Sequence, residues 1–221
     1  ILKSLNDDKK TKVIIIEGFG KGFSAGHDLK EIRSLKKKLK YNKLFNACSK
    51  LMLEIVEGRK PVIAKVHGAA FAAGCQLVAS CDLALSSDDA IFATPGVKIG
   101  LFCSTPMVAV SRKVSRKRMM KMLLTGDSID AKYAKEVGLI NDYYPIAKLE
   151  NEVLKLAKNI ASKSNLIVKI GKKAFYKQLE MPLEKAYKYT SEVMTKNMMT
   201  LDANEGISAF LEKRTPKWKN K

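Results

Sequence analysis

Two short turns of small residues have the composition of a pocket of backbone hydrogen-bond donors. The first turn spans residues 23–29 (FSAGHDL) and the second spans residues 68–77 (GAAFAAGCQL). Each follows an apolar run that is predicted to be a strand, at residues 13–16 and 62–66. Each also precedes residues that can begin a helix, so its N–H groups lack helical acceptors and point outward. Two such turns facing one another would suit a carbonyl oxygen that gains negative charge during a reaction.

The four cysteines show no metal-binding or redox spacing. They lie at Cys48, Cys75, Cys81 and Cys103, and no two of them form a C-x-x-C pair. Apolar and small residues surround them, which is typical of reduced thiols in a protein core. Reduced thiols in turn favour a reducing compartment.

The chain is strongly basic, with a net charge of +19 that comes mostly from lysine. Clusters lie at residues 36–38 and 112–118. A solvated lysine-rich surface is one interpretation, and a polyanionic ligand or partner is another. The sequence has no RNA-binding aromatic signature and no zinc-finger spacing, so a nucleic-acid module is not expected. A small ligand that carries a nucleotide would also fit. No run of 18 apolar residues occurs, so no membrane partner is expected.

The length and composition predict one sizeable domain with a helical appendage. The chain has 221 residues, of which 46% are hydrophobic, enough for a substantial core. It begins with Ile1, and Leu2 and Leu5 continue an amphipathic helical pattern. We therefore expect an N-terminal truncation, in which case a targeting segment would be missing from this sequence.

Strands and helices alternate in the first half of the chain, whereas helices dominate the second half. Beyond the two runs above, strands are predicted at residues 83–86, 91–93 and 139–143. Alternation of this kind is typical of an α/β domain with parallel pairing. From residue 147 onward the pattern predicts three helices, over 147–163, 165–180 and 182–211, and Gly206 is the expected breakpoint of the last helix.

Taken together, the motifs resemble the crotonase (enoyl-CoA hydratase/isomerase) superfamily over nearly the whole chain. The matching segments are residues 23–31 (FSAGHDLKE), 73–77 (AGCQL), 81–84 (CDLA), 92–96 (FATPG) with Gly100, 124–126 (LTG) and 134–138 (AKEVG). Residues 72–80, 93–106 and 175–179 are also similar to a mitochondrial member of that superfamily. Each motif alone is weak, whereas the set is specific.

The resemblance implies an α/β fold in two regions. Residues 1–145 would form a crotonase-type spiral of ββα turns with an acyl-CoA pocket and truncated N-terminal strands. Residues 146–221 would form a C-terminal helical trimerisation region, giving a homotrimer or a hexamer. The resemblance further implies coenzyme A thioester as the ligand, no other cofactor, no metal, a mitochondrial location and a part in fatty-acid and lipid metabolism.

The resemblance also implies which amides hold the thioester oxygen: the backbone N–H groups of His27 and Ala73. The imidazole of His27 is then either a spectator in the pocket wall or a proton-transfer group. Asp28 either caps the helix that begins there or contacts the ligand. The other residues expected at the substrate are Ala25, Leu29, Phe71, Ala72, Pro95, Phe210 and Lys213.

Both glutamates that enoyl-CoA hydratases use are missing from this sequence. The first normally lies three residues after the second oxyanion amide, where this chain has Gln76, and the second normally follows the proline of the 92–96 motif, where it has Gly96. Gln76 can form hydrogen bonds but cannot act as a base near neutral pH, and Gly96 has no side chain. Weak or absent hydratase activity is therefore expected.

Three other side chains near the same strand ends have structural explanations. Thr94 is expected to bond to backbone, Cys103 to pack in the core, and Ser104 to cap the following helix. In the C-terminal tail, Lys213 and Arg214 could favour phosphate and Phe210 could cover adenine. A solvated basic tail is the alternative.

Three functions follow in order of preference. The first is an acyl-CoA enzyme that uses the amide pocket but is a poor hydratase. The second is a catalytically silent CoA-thioester binder or an assembly partner of related enzymes. The third is RNA binding, since one branch of the superfamily binds AU-rich RNA and this chain is very basic.

Overall fold

The chain forms two compact units in a computed structural model that describes residues 1–221. The larger unit consists of residues 15–56 and 62–155. The smaller unit consists of residues 1–14, 57–61 and 156–221. Residues at the N-terminus therefore group with the C-terminal helices.

Seven short strands form two sheets. The strands are β1 (Ile14–Glu17), β2 (Val62–Val66), β3 (Ala69–Phe71), β4 (Leu83–Ser87), β5 (Ile91–Ala93), β6 (Ile129–Asp130) and β7 (Asp142–Tyr144). The four-stranded sheet has the order β1-β2-β4-β7, and β4 pairs in parallel with both β2 and β7. The three-stranded sheet has the order β3-β5-β6, in which β3 and β5 are parallel. The expected parallel α/β arrangement is confirmed.

Eleven α-helices and one 3₁₀ helix make up the remaining regular structure. They are α1 (Leu2–Asp7), α2 (Leu29–Leu35), α3 (Lys38–Glu57), α4 (Ala73–Ser80), a 3₁₀ helix (Pro95–Ile99), α5 (Ser104–Val110), α6 (Arg116–Thr125), α7 (Ala131–Glu136), α8 (Ile146–Ala161), α9 (Asn165–Leu179), α10 (Leu183–Met198) and α11 (Leu201–Leu211). No helix combines the length and the apolar character needed to cross a lipid bilayer.

Strand β2 shows why the central sheet forms. Val62, Ile63, Ala64 and Val66 are all buried, so both faces of the strand are covered. The sequence of such a strand is a continuous apolar run rather than an alternation of apolar and polar residues, which is typical of parallel sheets that are covered on both faces. Apolar burial on both faces fixes the strand at the centre of the larger unit.

Three boundaries differ from the sequence-based predictions. The second small-residue turn contains a strand, β3, where no strand was predicted. The last strand lies at β7 rather than at residues 139–143. The final predicted helix divides after Met198 rather than at Gly206, because the Thr200 hydroxyl accepts a hydrogen bond from the Ala203 N–H (3.1 Å) and caps a new helix.

Gly206 has a packing role instead of a helix-breaking one. It lies inside α11, where a β-carbon would come within 3.3 Å of the Trp218 ring. The Trp218 indole N–H donates to the Ser162 carbonyl (2.7 Å), and the buried Asp202 carboxylate accepts from the N–H groups of Lys219 and Asn220. The C-terminal segment is thus bound to the helices of the smaller unit.

The two small-residue turns of the larger unit lie against one another. The Ser24 N–H donates to the Ala69 carbonyl (3.0 Å), and the Ser24 carbonyl accepts from the Phe71 N–H (2.8 Å). Helix α4 then approaches so closely that a β-carbon on Gly74 would lie 2.1 Å from the Ser24 oxygen. Only glycine fits at position 74.

We expect Gly74→Ala to lower the free energy of unfolding by about 3 kcal/mol, because backbone atoms must move to admit the methyl group. Chemical denaturation followed by circular dichroism measures this loss. Gly171→Ala is the matched control, since Gly171 lies in α9 and a β-carbon there would meet no atom within 4 Å. That control should gain about 0.5–1 kcal/mol. Equal stability of the two variants would contradict the close approach.

Candidate functional site

The backbone segments of His27 and Ala73 lie side by side. Gly26 has a φ of +93°, and a β-carbon there would lie 3.2 Å from the Ala73 nitrogen. Ala73 is the first residue of α4, so its N–H has no helical acceptor. Neither its N–H nor that of His27 takes part in a backbone hydrogen bond within the chain. The contact between the two turns thus brings together two backbone segments whose N–H groups, those of His27 and Ala73, have no backbone acceptor.

Ala72 has a strained backbone at the start of α4. Its φ of 49° and ψ of −114° are rare for a residue with a side chain. Two hydrogen bonds hold it there: its N–H donates to the Ala93 carbonyl (2.9 Å), and its carbonyl accepts from the Gln76 N–H (3.0 Å). Strain of this kind concentrates at functional sites, where surrounding bonds impose it. Here it turns the chain abruptly from β3 into the helix.

Asp28 caps α2, as one of the two sequence interpretations proposed. Its carboxylate accepts from the N–H groups of Lys30 (2.7 Å) and Glu31 (3.2 Å). Asp28 and Leu29 are both exposed, as is Ala25. The capping bonds fix where α2 begins, at Leu29, two residues after His27.

Gln76 is buried beside a thiol rather than a carboxylate. It is 3% exposed, and the Cys48 thiol donates to its side-chain oxygen across 3.9 Å. Burial raises the pKa of Cys48, so the thiol stays protonated at neutral pH. The side chain of Gln76 is therefore held by a neutral neighbour.

Gly96 and Cys103 form a second interlocked pair. The Gly96 N–H donates to the Cys103 sulfur across 3.3 Å, and a β-carbon on Gly96 would lie 2.9 Å from that sulfur. Cys103 is buried, as predicted, and burial raises its pKa although the Gly96 N–H partly opposes that shift. The thiol thus occupies the space that a side chain at position 96 would need.

Two further expectations at these strand ends were wrong. Ser104 does not cap α5, because the helix begins at Ser104 itself and the hydroxyl donates to the Phe102 carbonyl (3.3 Å). Thr94 was expected to bond to backbone, yet its hydroxyl is fully buried and has no hydrogen-bond partner. Thr94 directly follows Ala93, the last residue of β5, and the Ala93 carbonyl accepts from the N–H of the strained Ala72. The unpartnered Thr94 hydroxyl therefore lies at the end of the strand that binds the start of α4.

The imidazole of His27 carries a second orphaned polar atom. Its Nε2 is buried without a partner, while the Phe45 ring makes a T-shaped contact with the imidazole, with centroids 5.8 Å apart. An unsatisfied buried polar atom calls for an explanation, such as a bound water or ligand. Both sequence interpretations of the imidazole, pocket wall and proton transfer, remain compatible with this arrangement.

Helix α3 contributes residues that sequence reasoning missed. Phe45 contacts His27 and Cys48 contacts Gln76. The two residues lie three positions apart, on one face of the helix. That spacing is the only signal available in the sequence, and it also fits ordinary core packing.

The remaining residues that were expected at the substrate are divided between the two units. Phe71 ends β3, and Pro95 begins the 3₁₀ helix. Phe210 and Lys213 belong to the smaller unit, where Phe210 is 83% exposed. Arg214, which could favour phosphate in the sequence analysis, pairs with the carboxylates of Glu205 and Glu212. The chain has no cluster of side chains arranged to hold a metal ion.

Comparisons with known proteins agree over the whole chain. The family model described as enoyl-CoA hydratase/isomerase matches residues 1–221. The human protein named enoyl-CoA hydratase domain-containing protein 3, mitochondrial, is 48% identical over 99% of this chain and 74% of its own. Its crystal structure superposes with a TM-score of 0.94 at 49% identity, covering 98% of this chain and 88% of that one. An enoyl-CoA hydratase from Mycobacterium smegmatis superposes with a TM-score of 0.96 at 46% identity, covering 98% and 84%.

The thiols of the site should differ in reactivity. Burial raises the pKa of Cys75 to about 12, so about one thiol in 10⁴ is ionised at pH 8 and its alkylation should require unfolding. Cys48 is only half-buried and should react first. Time-resolved labelling with iodoacetamide, followed by peptide mass spectrometry, measures both rates. Cys48→Ser should abolish the fast phase, and early labelling of Cys75 in the folded protein would contradict this order.

Proposed function

The chain belongs to the enoyl-CoA hydratase/isomerase family, and we propose that it binds acyl-CoA thioesters but hydrates enoyl-CoA poorly. We further propose that it acts in mitochondrial fatty-acid metabolism, because the relative described above is named as mitochondrial. The proposed ligand is a coenzyme A thioester, with no other cofactor. The proposed assembly is a homotrimer or a hexamer.

The observation that carries the proposal is the contact between the two turns. The packing of Gly26 on the Ala73 nitrogen and the lack of a backbone acceptor for the N–H groups of His27 and Ala73 support the proposal that both donate to one acceptor. A thioester oxygen gains negative charge when the neighbouring carbon loses a proton or is attacked. Each amide donor is typically worth ~3 kcal/mol of barrier lowering. An amide pocket alone supports binding and enolate stabilisation.

Hydration needs more than this pocket supplies. Water must be activated at one carbon and a proton delivered to another, and each general acid or base is worth about 10²–10⁴-fold in rate. The positions at which such groups are expected hold Gln76, whose side-chain oxygen accepts from the neutral thiol of Cys48, and Gly96, whose N–H donates to the neutral thiol of Cys103. Poor hydratase activity follows.

A catalytically silent binder or assembly partner is the second candidate. The same neutral surroundings favour it, because burial raises the pKa of Cys48, Cys75 and Cys103 and so disfavours their ionised forms. Titration calorimetry with crotonyl-CoA, butyryl-CoA and free CoA, followed by mass spectrometry of the incubated ligands, separates the two candidates. Binding with a chemical change in the ligand supports an enzyme, whereas binding without change supports a silent binder. Failure of all thioesters to bind would overturn both.

The proposed oligomer is supported by apolar side chains on the C-terminal helices. Leu183, Tyr187, Met194 and Leu211 are all more than 60% exposed along α10 and α11. Exposed apolar side chains in such number are typical of a surface that another protein chain covers. Sedimentation analysis of the full chain would measure the number of subunits.

The amide of Ala73 can be removed selectively. Proline is tolerated at the first position of a helix, where its missing N–H has no helical acceptor. Proline restricts the backbone conformation of the residue before it, and Ala72 already has a strained φ of 49°. Glycine at position 72 relieves this restriction, so the test compares Ala72→Gly/Ala73→Pro with Ala72→Gly alone. Loss of one hydrogen bond should weaken crotonyl-CoA binding about tenfold and leave free CoA binding unchanged. Circular dichroism checks the fold, and equal thioester affinity in the two variants would argue against this donor.

Restoring two carboxylates should raise crotonyl-CoA hydration. Because a β-carbon at position 96 meets the Cys103 sulfur at 2.9 Å, the glutamate there needs space, and the variant is Gln76→Glu/Gly96→Glu/Cys103→Ala. We expect the parent protein to show very slow hydration and the triple variant to gain about 10²-fold or more. The matched control is Gln76→Glu/Cys103→Ala, which lacks the second carboxylate and should gain far less. Ordinary hydratase turnover in the parent would refute the missing-carboxylate argument.

A further inference from the structure

Residues 28–43 form an exposed, lysine-rich surface, which we call the basic surface. It consists of α2 and the first residues of α3, and none of its sixteen residues is buried. Two acidic residues, Asp28 and Glu31, oppose seven cationic ones. The cationic residues, all exposed, are Lys30, Arg33, Lys36, Lys37, Lys38, Lys40 and Lys43. The surface therefore carries a local charge of +5 (seven minus two).

Nothing within the chain neutralises this charge. The ion pairs of the protein involve none of the seven cationic side chains. The Asp28 carboxylate is engaged by the N–H groups of Lys30 and Glu31, where it caps α2. The positive field of the surface is thus directed at solvent or at a partner.

Two leucines distinguish the basic surface from an ordinary solvated lysine face. Leu29 is 55% exposed and precedes Lys30, and Leu39 is 67% exposed and lies between Lys38 and Lys40. Exposed leucines among lysines match the composition of segments that lie in the interface of an anionic lipid bilayer. The apolar side chains enter the boundary between headgroups and acyl chains, while the ammonium groups remain at the phosphates.

The same composition disfavours nucleic acid as the partner. Six of the seven cations are lysines, which lack the planar fork that arginine uses for bidentate phosphate or base recognition. The basic surface also has no exposed aromatic ring on which a base could stack, since its one aromatic residue, Tyr41, is half-buried.

We propose that the basic surface docks the protein peripherally on an anionic membrane. The expectation of no membrane partner rested on the lack of a spanning segment, which peripheral docking does not need. Because Asp28 directly follows His27, the docked surface begins next to the candidate amide pocket. Acyl chains that partition into a bilayer would then be supplied at the same side of the larger unit.

Vesicle flotation with the 221-residue chain tests the proposal. The vesicles are phosphatidylcholine alone and phosphatidylcholine with phosphatidylserine, at low and high salt. Lys37→Gln/Lys38→Gln/Lys40→Gln should weaken binding to the anionic vesicles about a hundredfold, given the attraction of each lysine near an anionic surface. Leu39→Ser should weaken it while leaving the charge unchanged. The matched control, Lys9→Gln/Lys10→Gln/Lys158→Gln, removes the same charge from exposed positions elsewhere and should bind as the parent does.

Three results would overturn the proposal. Equal loss in the control and the 37/38/40 variant would indicate unspecific electrostatics. An unchanged affinity in the leucine variant would mean that no apolar insertion occurs. Binding of single-stranded poly(U) RNA that depends on residues 37, 38 and 40, without vesicle binding, would assign the surface to nucleic acid. Calorimetry of each variant with free CoA is independent of these outcomes, so the acyl-CoA proposal stands or fails separately.

Discussion

The close approach of Gly74 to the Ser24 carbonyl is the constraint on which the candidate site depends. A β-carbon at position 74 would lie 2.1 Å from that oxygen, so the backbone itself forms the contact. The contact brings the first turn onto the start of α4 and places Gly26 against the Ala73 nitrogen. Positions set by backbone contact vary less than positions set by flexible side chains, and an electrostatic pocket needs its donors in place before charge develops.

The strain at Ala72 follows from the same constraint. The chain must leave β3, whose Phe71 binds the Ser24 carbonyl, and enter α4 within one residue. The hydrogen bond from the Ala72 N–H to the Ala93 carbonyl secures the turn from the side of β5. A positive φ at a residue with a side chain costs on the order of 1–3 kcal/mol, and the surrounding bonds offset it. The strain is therefore part of what sets the position of the first amide of α4.

Local features of the site could be predicted from sequence, whereas features that join distant segments could not. The capping role of Asp28 and the start of α4 follow from residue types within a few positions. Strand β3 was missed because its three residues, two alanines and Phe71, carry no strand pattern, and it exists through pairing with β5 and Ser24. Likewise, Gly206 was mistaken for a helix breaker because its neighbour, Trp218, lies twelve residues away. The orphaned Thr94 hydroxyl has no sequence signal at all.

The packing of Gly96 against Cys103 shows how a neighbouring side chain can oppose the return of a glutamate at position 96. A side chain at position 96 and the thiol at position 103 compete for the same space, since the β-carbon position lies 2.9 Å from the sulfur. The Gly96 N–H also donates to that sulfur, so the thiol satisfies a buried donor as well as filling volume. Adding a carboxylate at position 96 alone would therefore overpack the core and leave the donor unpaired. Removing the thiol alone would open a cavity. Either substitution by itself therefore destabilises the protein. Under the proposed function, packing thus opposes the return of a carboxylate at position 96 and keeps the pocket neutral.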